Sequence, residues 1–392
     1  MQSLTAFRKS LLSEMPDNPL GIVASPVRGY VWPTFRCSIG CAHCNFSSLP
    51  RLERGQRETF DPVQIADWLA EAKARTLILC GGGEPLDEPE FCERAIRRAG
   101  EHSLNVGIYT SGVSLSRPQA VEDYVETWRA ALGSSHAWFA LRLSIDTFHA
   151  ERIGIAHLAE WITVVRRLAP DWRLSLRGLS LDGDMSVSEL AGELGADLVP
   201  QGKRSVRLNL KDGTGITVER TGFVLDGRAS LEQLARRGLR IPAAQGESLA
   251  SWTRLVGRTR RIGRPLSRRL PVAKTRVDLE IHSDSAVHVL ESQAFDLRLS
   301  SRSHTWREMT DLYYRDPLIH AVVIAGLALV AQCLREAIES GVADRGTVPF
   351  SIEQIRDPAL LDRVTAMVVM ALETVVPYPS EVSARAAAFL CA

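Results

Sequence analysis

The chain has little that would tie it to a membrane, to nucleic acid or to a disulfide framework. Its net charge of +1 gives an overall field that favours no class of partner. The most apolar run, residues 321–330, is shorter than a bilayer span, and the first residues lack the apolar core of a secretory signal. The seven cysteines are too unevenly spaced for a disulfide scaffold. We therefore expect a cytoplasmic protein with reduced thiols, without a membrane or nucleic-acid partner.

The pattern of apolar runs predicts an α/β protein. The 392 residues are 45% hydrophobic and 24% charged, which is enough for a large core. Strand-like runs occur at 76–79, 105–109, 138–145, 173–178, 206–210 and 222–225. Helical patterns lie between the first of these runs, at about 88–99, 118–132 and 150–168. Alternation of this kind predicts a parallel sheet with helices outside it.

Three closely spaced cysteines are the strongest chemical signal. Cys37, Cys41 and Cys44 have C-x-x-x-C-x-x-C spacing, so one loop can wrap them around a 4Fe–4S cluster. Such clusters usually take four cysteines, and three leave one iron open to a small molecule. Two other interpretations stay open at this point. The cysteines could hold a structural zinc together with His43, or they could be unliganded thiols.

Further unusual residues follow the predicted strands. Gly81, Gly82 and Gly83 form a turn after the first of them, and Glu84 follows with a carboxylate placed for an ammonium group. Ser144 and Asp146 end another strand, where short oxygen side chains suit ribose hydroxyls. Taken singly, a glycine-rich turn is usually only a turn, and a strand-terminal Ser or Asp is more often a helix cap. Ligands of such folds bind at the carboxyl ends of the strands, which favours a site here.

The order of these motifs resembles the radical S-adenosylmethionine (radical SAM) superfamily. The three cysteines followed by Gly-Gly-Glu-Pro at 82–85 carry the resemblance, which covers roughly residues 28–230. It implies a partial (β/α)6 TIM-like barrel. It also implies one 4Fe–4S cluster, held by the three cysteines, whose open iron binds the amino and carboxylate groups of S-adenosylmethionine. Reductive cleavage would yield a 5′-deoxyadenosyl radical, with electrons from a donor such as flavodoxin or ferredoxin.

The resemblance also implies cofactor-binding residues. The family positions that meet S-adenosylmethionine are matched by His43, Phe46, Gly82, Gly83, Glu84, Ser144 and Asp146. The glycine–glutamate segment matches the contact to the methionine amino group, and the pair around the third cysteine matches positions flanking the adenine. The strand-end pair matches a contact to the ribose or carboxylate. The family usually has an aromatic residue where His43 stands.

Three residues are candidates for the substrate chemistry. Cys80 ends a predicted strand beside the glycine turn, where a thiol could quench a substrate radical, as in radical epimerases of the superfamily. His149 and Glu151 begin the helix after Asp146, where a general acid or base could act. The alternatives are a small buried hydrophobe for Cys80 and favourable polarity at a helix start for Glu151.

The second half of the chain carries weaker signals. Residues 276–289 alternate like a hairpin with Ser-Asp-Ser at its turn, and 306–317 precede a long apolar helix. This layout weakly resembles the SPASM extension of the superfamily without its cysteines, so we expect no auxiliary cluster. Residues 254–276 contain basic but no acidic side chains, which predicts a solvated insertion or, as the alternative, a binder of phosphate or nucleic acid.

The expected organisation has four parts. An N-terminal extension at 1–27 precedes the barrel at 28–230, a basic connector at 231–275 and a mixed α+β region of hairpin and helices at 276–392.

Three functions are compatible with these observations. The favoured one is a radical SAM enzyme of natural-product biosynthesis that epimerises, dehydrates or deaminates a small molecule such as a sugar or aminoglycoside. The second is a maturase of a ribosomally made peptide; the few residues before the cysteines and the missing auxiliary cysteines argue against it. The third is a non-catalytic cluster-binding protein.

Overall fold

A computed structural model gives the bounds of the secondary structure. It describes residues 5–20, 23–44, 48, 61–115, 118–135, 137–202, 205–222, 231–242, 274–282, 286–289, 299–300, 304–325, 327–340 and 357–391. The strands are β1 Val23–Val31, β2 Thr76–Leu79, β3 Asn105–Thr110, β4 Phe139–Ser144, β5 Arg173–Ser180, β6 Asp197–Pro200, β7 Ser205–Asn209, β8 Gly215–Gly222, β9 Lys274–Ile281, β10 Ala286–Val289 and β11 Leu299–Ser300. The helices are α1 Ala6–Glu14, α2 Pro62–Glu71, α3 Pro89–Glu101, α4 Val121–Leu132, α5 Thr147–Ile153, α6 Ile155–Leu168, α7 Ser186–Leu194, α8 Leu231–Arg236, α9 Trp306–Tyr313, α10 Pro317–Ala325, α11 Leu327–Glu339, α12 Pro358–Leu372 and α13 Ser380–Cys391. A 3-10 turn, Pro85–Asp87, lies between β2 and α3.

The chain divides into two compact units. We call residues 26–245 and 278–286 the barrel unit, and residues 1–25, 246–277 and 287–392 the helical unit. The four-part organisation expected from the sequence stays a prediction. Within the described residues, no helix is both long and apolar enough to cross a membrane.

Six parallel strands form the centre of the barrel unit. Its strands follow the order β9–β1–β2–β3–β4–β5–β8–β7–β6. Strands β1, β2, β3, β4, β5 and β8 pair in parallel, while β6 and β7 are antiparallel additions. β2 is buried along its whole length, as expected for a strand covered on both faces. The predicted α/β class with a partial (β/α)6 TIM-like barrel is confirmed.

An aromatic layer packs helices α4 and α6 against the sheet. Trp128 stacks on Trp161 at 5.9 Å between ring centroids, and Phe139 of β4 stacks on Trp172 at 4.0 Å. Trp128 and Trp161 are among the largest fully buried side chains. Large rings of this kind bury much apolar area, and this burial stabilises the packing of the helices on the sheet.

The runs predicted at 76–79, 105–109, 138–145, 173–178 and 206–210 are strands, and most of the run predicted at 222–225 lies outside the described residues. The sequence did not predict β1, β6 and β8. The helix predicted at 150–168 is divided. The structure has two helices there, α5 and α6, separated by Gly154 at φ +87°. A left-handed residue cannot continue an α-helix, and glycine adopts this conformation without strain. The break turns α5 into a short separate helix directly after β4.

The helical unit has its own core. Leu11 and Met15 of α1 pack with Ala366 and Val369 of α12 and with Val382 of α13.

Both strands of the predicted hairpin exist as β9 and β10, whereas its Ser-Asp-Ser turn lies outside the described residues. Of the basic stretch, only 274–276 are described.

Candidate active site

The carboxyl ends of the parallel strands bring the sequence motifs to one edge of the sheet. The cysteine loop follows β1, the glycine turn follows β2, Thr110 ends β3 and Asp146 follows β4. The sequence predicted this convergence, because parallel strands end on the same side.

The glycine turn is locked against the beginning of the cysteine loop. The Glu84 N–H donates to the carbonyl of Arg36 at 2.9 Å. A Cβ atom on Gly83 would overlap that same carbonyl oxygen and would lie 2.6 Å from the Thr34 oxygen. Backbone atoms cannot move aside as a side chain can, so this contact requires glycine. The two motifs that carry the resemblance therefore form one packed substructure.

Asp87, which sequence reasoning missed, anchors the cysteine loop. Its fully buried carboxylate accepts hydrogen bonds from the Ser38 N–H at 2.7 Å and from the Ser114 hydroxyl at 2.6 Å. Ser38 in turn accepts the Leu115 N–H at 3.0 Å. The residue next to Cys37 is thus tied to the segment after β3. An acidic residue two positions after Gly-Gly-Glu-Pro was the available signal.

Glu84 is a buried carboxylate that accepts several hydrogen bonds. Its oxygens accept bonds from the Thr110 hydroxyl, from the N–H and hydroxyl of Ser111 at 2.9 and 2.6 Å, and from the Leu86 N–H at 3.0 Å. Burial raises the pKa of this carboxyl, opposed by the hydrogen bonds from Ser111 and Thr110. Glu84 therefore stiffens the turn that presents Gly82 and Gly83.

The loop wraps closely around Cys37. Gly40 has a left-handed φ of +61°, which turns the chain back after Cys37. Burial, reinforced by Glu84, raises the pKa of the Cys37 thiol to about 12. A ligand that needs the thiolate must therefore displace a proton here. Cys41 is buried and Cys44 partly exposed.

Two histidines lie beside the second and third cysteines. His43 packs on Phe148 at 4.7 Å and meets the His149 ring edge-on at 5.0 Å. Burial lowers the pKa of His43 to about 4, despite the opposing charge of Asp146. Its Nδ1 is buried and has no hydrogen-bond partner among the residues that the structure describes. An unsatisfied buried ring nitrogen at this position suits a polar ligand group.

Asp146 holds His149 rather than standing free. The carboxylate caps α5 by accepting the N–H groups of Phe148 and His149, both at 3.0 Å, and it accepts His149 Nδ1 at 2.8 Å. Burial by itself would raise the pKa of Asp146, but His149 outweighs it and the pKa is lowered to about 2. Burial by itself would lower the pKa of His149, and the Asp146 carboxylate instead raises it. The two form a buried ion pair.

The other predicted residues occupy varied surroundings. Cys80 is buried with Trp32 and Ile78 beside the glycine turn, as a small apolar residue would be. Glu151 is paired with Arg237 at 2.9 Å and is exposed. Ser144 ends β4 opposite Arg177 of β5. Phe46 lies outside the described residues.

A second feature missed by sequence reasoning lies at the end of β9. His282 stacks on Trp32 at 3.8 Å between centroids, and its Nε2 lies 3.1 Å from Glu280 Oε1. Both side chains are buried. Trp32 also covers the glycine turn, since a Cβ on Gly82 would lie 2.9 Å from its ring. A Glu-x-His pair on one strand face was the signal.

Comparison with known proteins agrees with this geometry. A model described as the Radical SAM superfamily matches residues 32–170. The chain contains a radical SAM domain. It is a radical SAM enzyme whose cofactors are a 4Fe–4S cluster and S-adenosylmethionine, as predicted.

Three solved structures of SuiB from Streptococcus suis are similar to the chain. For SuiB bound to S-adenosylmethionine the identity is 14%, covering 78% of this chain and 69% of that one, with a TM-score of 0.44. For SuiB bound to its precursor peptide SuiA the identity is 13%, the coverage 79% and 71%, and the TM-score 0.46. For SuiB without a named ligand the identity is 15%, the coverage 86% and 78%, and the TM-score 0.45. No curated protein matches the sequence.

The donor set fits a cluster better than a single metal ion. Cys41, His43 and His149 are the described group whose ligand atoms all lie within 4.8 Å of one another. Only one of these is a cysteine of the triad, and a closed structural zinc needs four ligands. A cubane places its thiolates on different irons, so its cysteines need not converge on one point.

Proposed function

We propose that this enzyme reductively cleaves S-adenosylmethionine at the cluster of Cys37, Cys41 and Cys44 and directs the resulting radical to a small-molecule substrate. The observation that carries the proposal is the packing of Gly83 against the Arg36 carbonyl, next to Cys37. This contact holds the cluster loop and the cofactor-binding turn in one fixed relation. When bound, the cluster and S-adenosylmethionine supply the electron and the 5′-deoxyadenosyl radical that abstracts hydrogen.

The role of the protein's own residues is to position the cofactor and to exclude water from the site. Glu84 holds the turn through its bonds to Ser111 and Leu86. The backbone of Gly82 and Gly83 would bind the methionine amino group of the cofactor. The buried Nδ1 of His43, which has no hydrogen-bond partner among the described residues, would offer a polar contact to the adenine. Trp32, on which His282 stacks, covers the glycine turn, and exclusion of water there would protect a reactive intermediate.

The test is anaerobic formation of 5′-deoxyadenosine. The protein is reconstituted with iron and sulfide, reduced, mixed with S-adenosylmethionine and assayed by mass spectrometry. We expect product from the wild type and from Cys391→Ala, a matched control at an exposed cysteine. The triple variant Cys37→Ala/Cys41→Ala/Cys44→Ala should give none. A wild type that carries a full cluster yet forms no product under any substrate condition would support the non-catalytic alternative.

The substrate class needs a separate experiment. The four cysteines outside the loop are scattered along the chain, which supports the small-molecule class by offering no ready ligand set for a second cluster. The alternative is a ribosomally made peptide; SuiB has been solved with its precursor peptide, but that complex concerns SuiB. A panel of sugars and aminoglycosides is compared with a peptide library for stimulation of 5′-deoxyadenosine release. Stimulation by peptides alone would reverse the proposal. A flavodoxin or ferredoxin is the electron donor to test alongside chemical reductant.

A further inference from the structure

The inner face of the barrel strands carries polar side chains that are not fully buried. Buried and partly exposed side chains alternate along β4. Phe139, on the buried side, stacks on Trp128 of α4, so that side faces the helices. Arg142 and Ser144 are on the other side, because successive residues of a strand point to opposite faces. The interior of a closed barrel is usually filled by branched apolar side chains, so core packing does not explain these residues.

The strand register brings polar side chains of neighbouring strands together on this inner face. Tyr109 of β3 lies beside Arg142, and Ser144 lies beside Arg177 of β5. Arg177 lies in turn beside Glu219 of β8. Two residues separate Arg142 from Ser144, a rise of roughly 7 Å along the strand. All of these residues belong to the barrel unit.

The Arg142 guanidinium is held in one orientation by three neighbours. It lies over the Tyr109 ring, 4.3 Å from the centroid. Its Nε donates to the Ser175 hydroxyl at 3.4 Å, and its Nη2 lies 3.5 Å from Glu219 Oε2. Its Nη1 has no acceptor among the residues that the structure describes, and 20% of the side chain is exposed. A guanidinium that is fixed and has unused N–H groups can bind a carboxylate or a phosphate.

Positive charge exceeds negative charge on this part of the inner face. On β3, β4, β5 and β8, the face carries the arginines Arg142, Arg173 and Arg177 and one acidic residue, Glu219. Arg177 is exposed and its side chain makes no ion pair or hydrogen bond with a described residue. The hydroxyl of Tyr109 likewise has no hydrogen-bond partner within the described ranges. The groups left unused are donors, so their ligand must be an acceptor.

We propose that Arg142 forms an anion site inside the barrel and that the substrate is a small molecule with a carboxylate or phosphate group. This inference rests on the proposed function, since it names the substrate class of the same barrel. An acidic sugar fits the site, whereas a cationic aminoglycoside would be repelled by the arginines. Ser144, which the resemblance assigns to the cofactor, is two residues closer to the strand end. The anion site is therefore deeper in the barrel than that residue.

The test compares four probes that share one sugar ring: glucose 6-phosphate, glucuronate, glucose and glucosamine. Binding to the reconstituted enzyme, with S-adenosylmethionine present, is measured by anaerobic calorimetry. We expect one or both acids to bind, and glucose and glucosamine to bind about tenfold more weakly or less, because only the acids offer a charged acceptor. The first two probes distinguish a phosphate from a carboxylate as the preferred group.

Matched variants test the residues of the site. Arg142→Gln should weaken the binding of the preferred acid by about tenfold or more and leave that of glucose unchanged. The control is Arg167→Gln, at an exposed arginine of α6 that donates to Glu122, and it should bind the acid like the wild type.

Glu219→Gln gives a second test that does not depend on how the Arg142 variant folds. The Glu219 side chain is 51% exposed, so the change leaves the core intact. It removes the negative charge that shares the Arg142 guanidinium, and the preferred acid should bind more tightly. Weaker binding of the acid by this variant would contradict the anion site.

The other outcomes separate the anion site from the proposed function. Equal binding of glucose and both acids, wild-type affinity of Arg142→Gln for the acid, or no binding of either acid by the loaded enzyme would each overturn the anion site. None of these readouts needs cleavage of S-adenosylmethionine. An enzyme that binds the acid through Arg142 but never forms 5′-deoxyadenosine would overturn the proposed function and leave the anion site standing.

Discussion

Gly83 packs against the Arg36 carbonyl so closely that no Cβ atom fits between them. The contact joins the glycine turn after β2 to the residue just before Cys37, although 47 positions separate Gly83 from Arg36 in the sequence. It explains in physical terms why a cluster loop and a Gly-Gly-Glu segment occur together. Each segment is the other's packing surface.

Gly83→Ala should therefore damage both stability and cluster binding. Overpacking against rigid backbone costs about 1–3 kcal/mol, and relief of the clash would displace the cysteine loop. Urea unfolding of the cluster-free protein and the iron content after reconstitution measure the two effects. The matched control is Gly192→Ala in α7, where an added Cβ meets nothing within 4 Å. Gly192→Ala should stabilise the protein by about 0.5–1 kcal/mol and should bind as much iron as the wild type. Equal behaviour of the two variants would contradict this account.

The metal content distinguishes a cluster from a zinc site. We expect about four irons and four sulfides per chain after reconstitution, because a cubane has this composition. Elemental analysis and visible absorption check it. Cys37→Ala should abolish the cluster, although Cys37 is not part of the group formed by Cys41, His43 and His149. Stoichiometric zinc that survives Cys37→Ala and is lost in His149→Leu would instead favour the mixed site.

His320 should make the stability of the helical unit depend on pH. It donates from Nε2 to the Tyr314 carbonyl at 2.6 Å and is fully buried. Burial lowers the pKa of His320 from 6.5 to about 4. As the pH falls, the unfolded chain binds a proton on this histidine at a higher pH than the folded chain does. The stability is therefore fully present above pH 6.5 and is lost as the pH falls toward 4. The full loss is about 3 kcal/mol at 1.36 kcal/mol per pKa unit.

The measurement is urea unfolding between neutral pH and pH 4.5, compared with His320→Gln. The variant should be less stable at neutral pH and should lose less stability on acidification. An identical pH dependence in both proteins would show that His320 does not titrate between the two states.

Cys80→Ala tests the thiol as a hydrogen donor to a substrate radical. We expect 5′-deoxyadenosine formation to persist while an epimerised product disappears, because only the quenching step needs the sulfur. Product analysis in deuterated solvent by mass spectrometry checks this. Cys92→Ala is the control, since that buried thiol donates to the Pro85 carbonyl at 3.3 Å. Unchanged product from Cys80→Ala would leave Cys80 as the small buried hydrophobe that its packing resembles.

Most elements that position the site were predicted from the sequence, and each wrong or missing prediction has a physical cause. The strands at 76–79 and 105–109 were recognisable as short buried runs. The helix predicted at 150–168 continued through Gly154 because apolar periodicity does not record a left-handed φ. The pairing of Glu280 with His282 was missed, since β9 joins the barrel unit from a distant part of the chain.

The order of local motifs indicated the chemistry through its resemblance to a known family, and tertiary packing decided the surroundings of each motif. Cys37, Cys41 and Cys44 lie within one loop, so their spacing alone limits what they can bind. Burial and hydrogen bonds across strands are invisible in the sequence. These contacts make Asp146 the cap of α5 and the hydrogen-bond partner of His149. They also satisfy the carboxylate oxygens of Glu84 with hydrogen-bond donors from the protein. Such contacts depend on which strand ends meet at the edge of the sheet, and only the folded chain determines that.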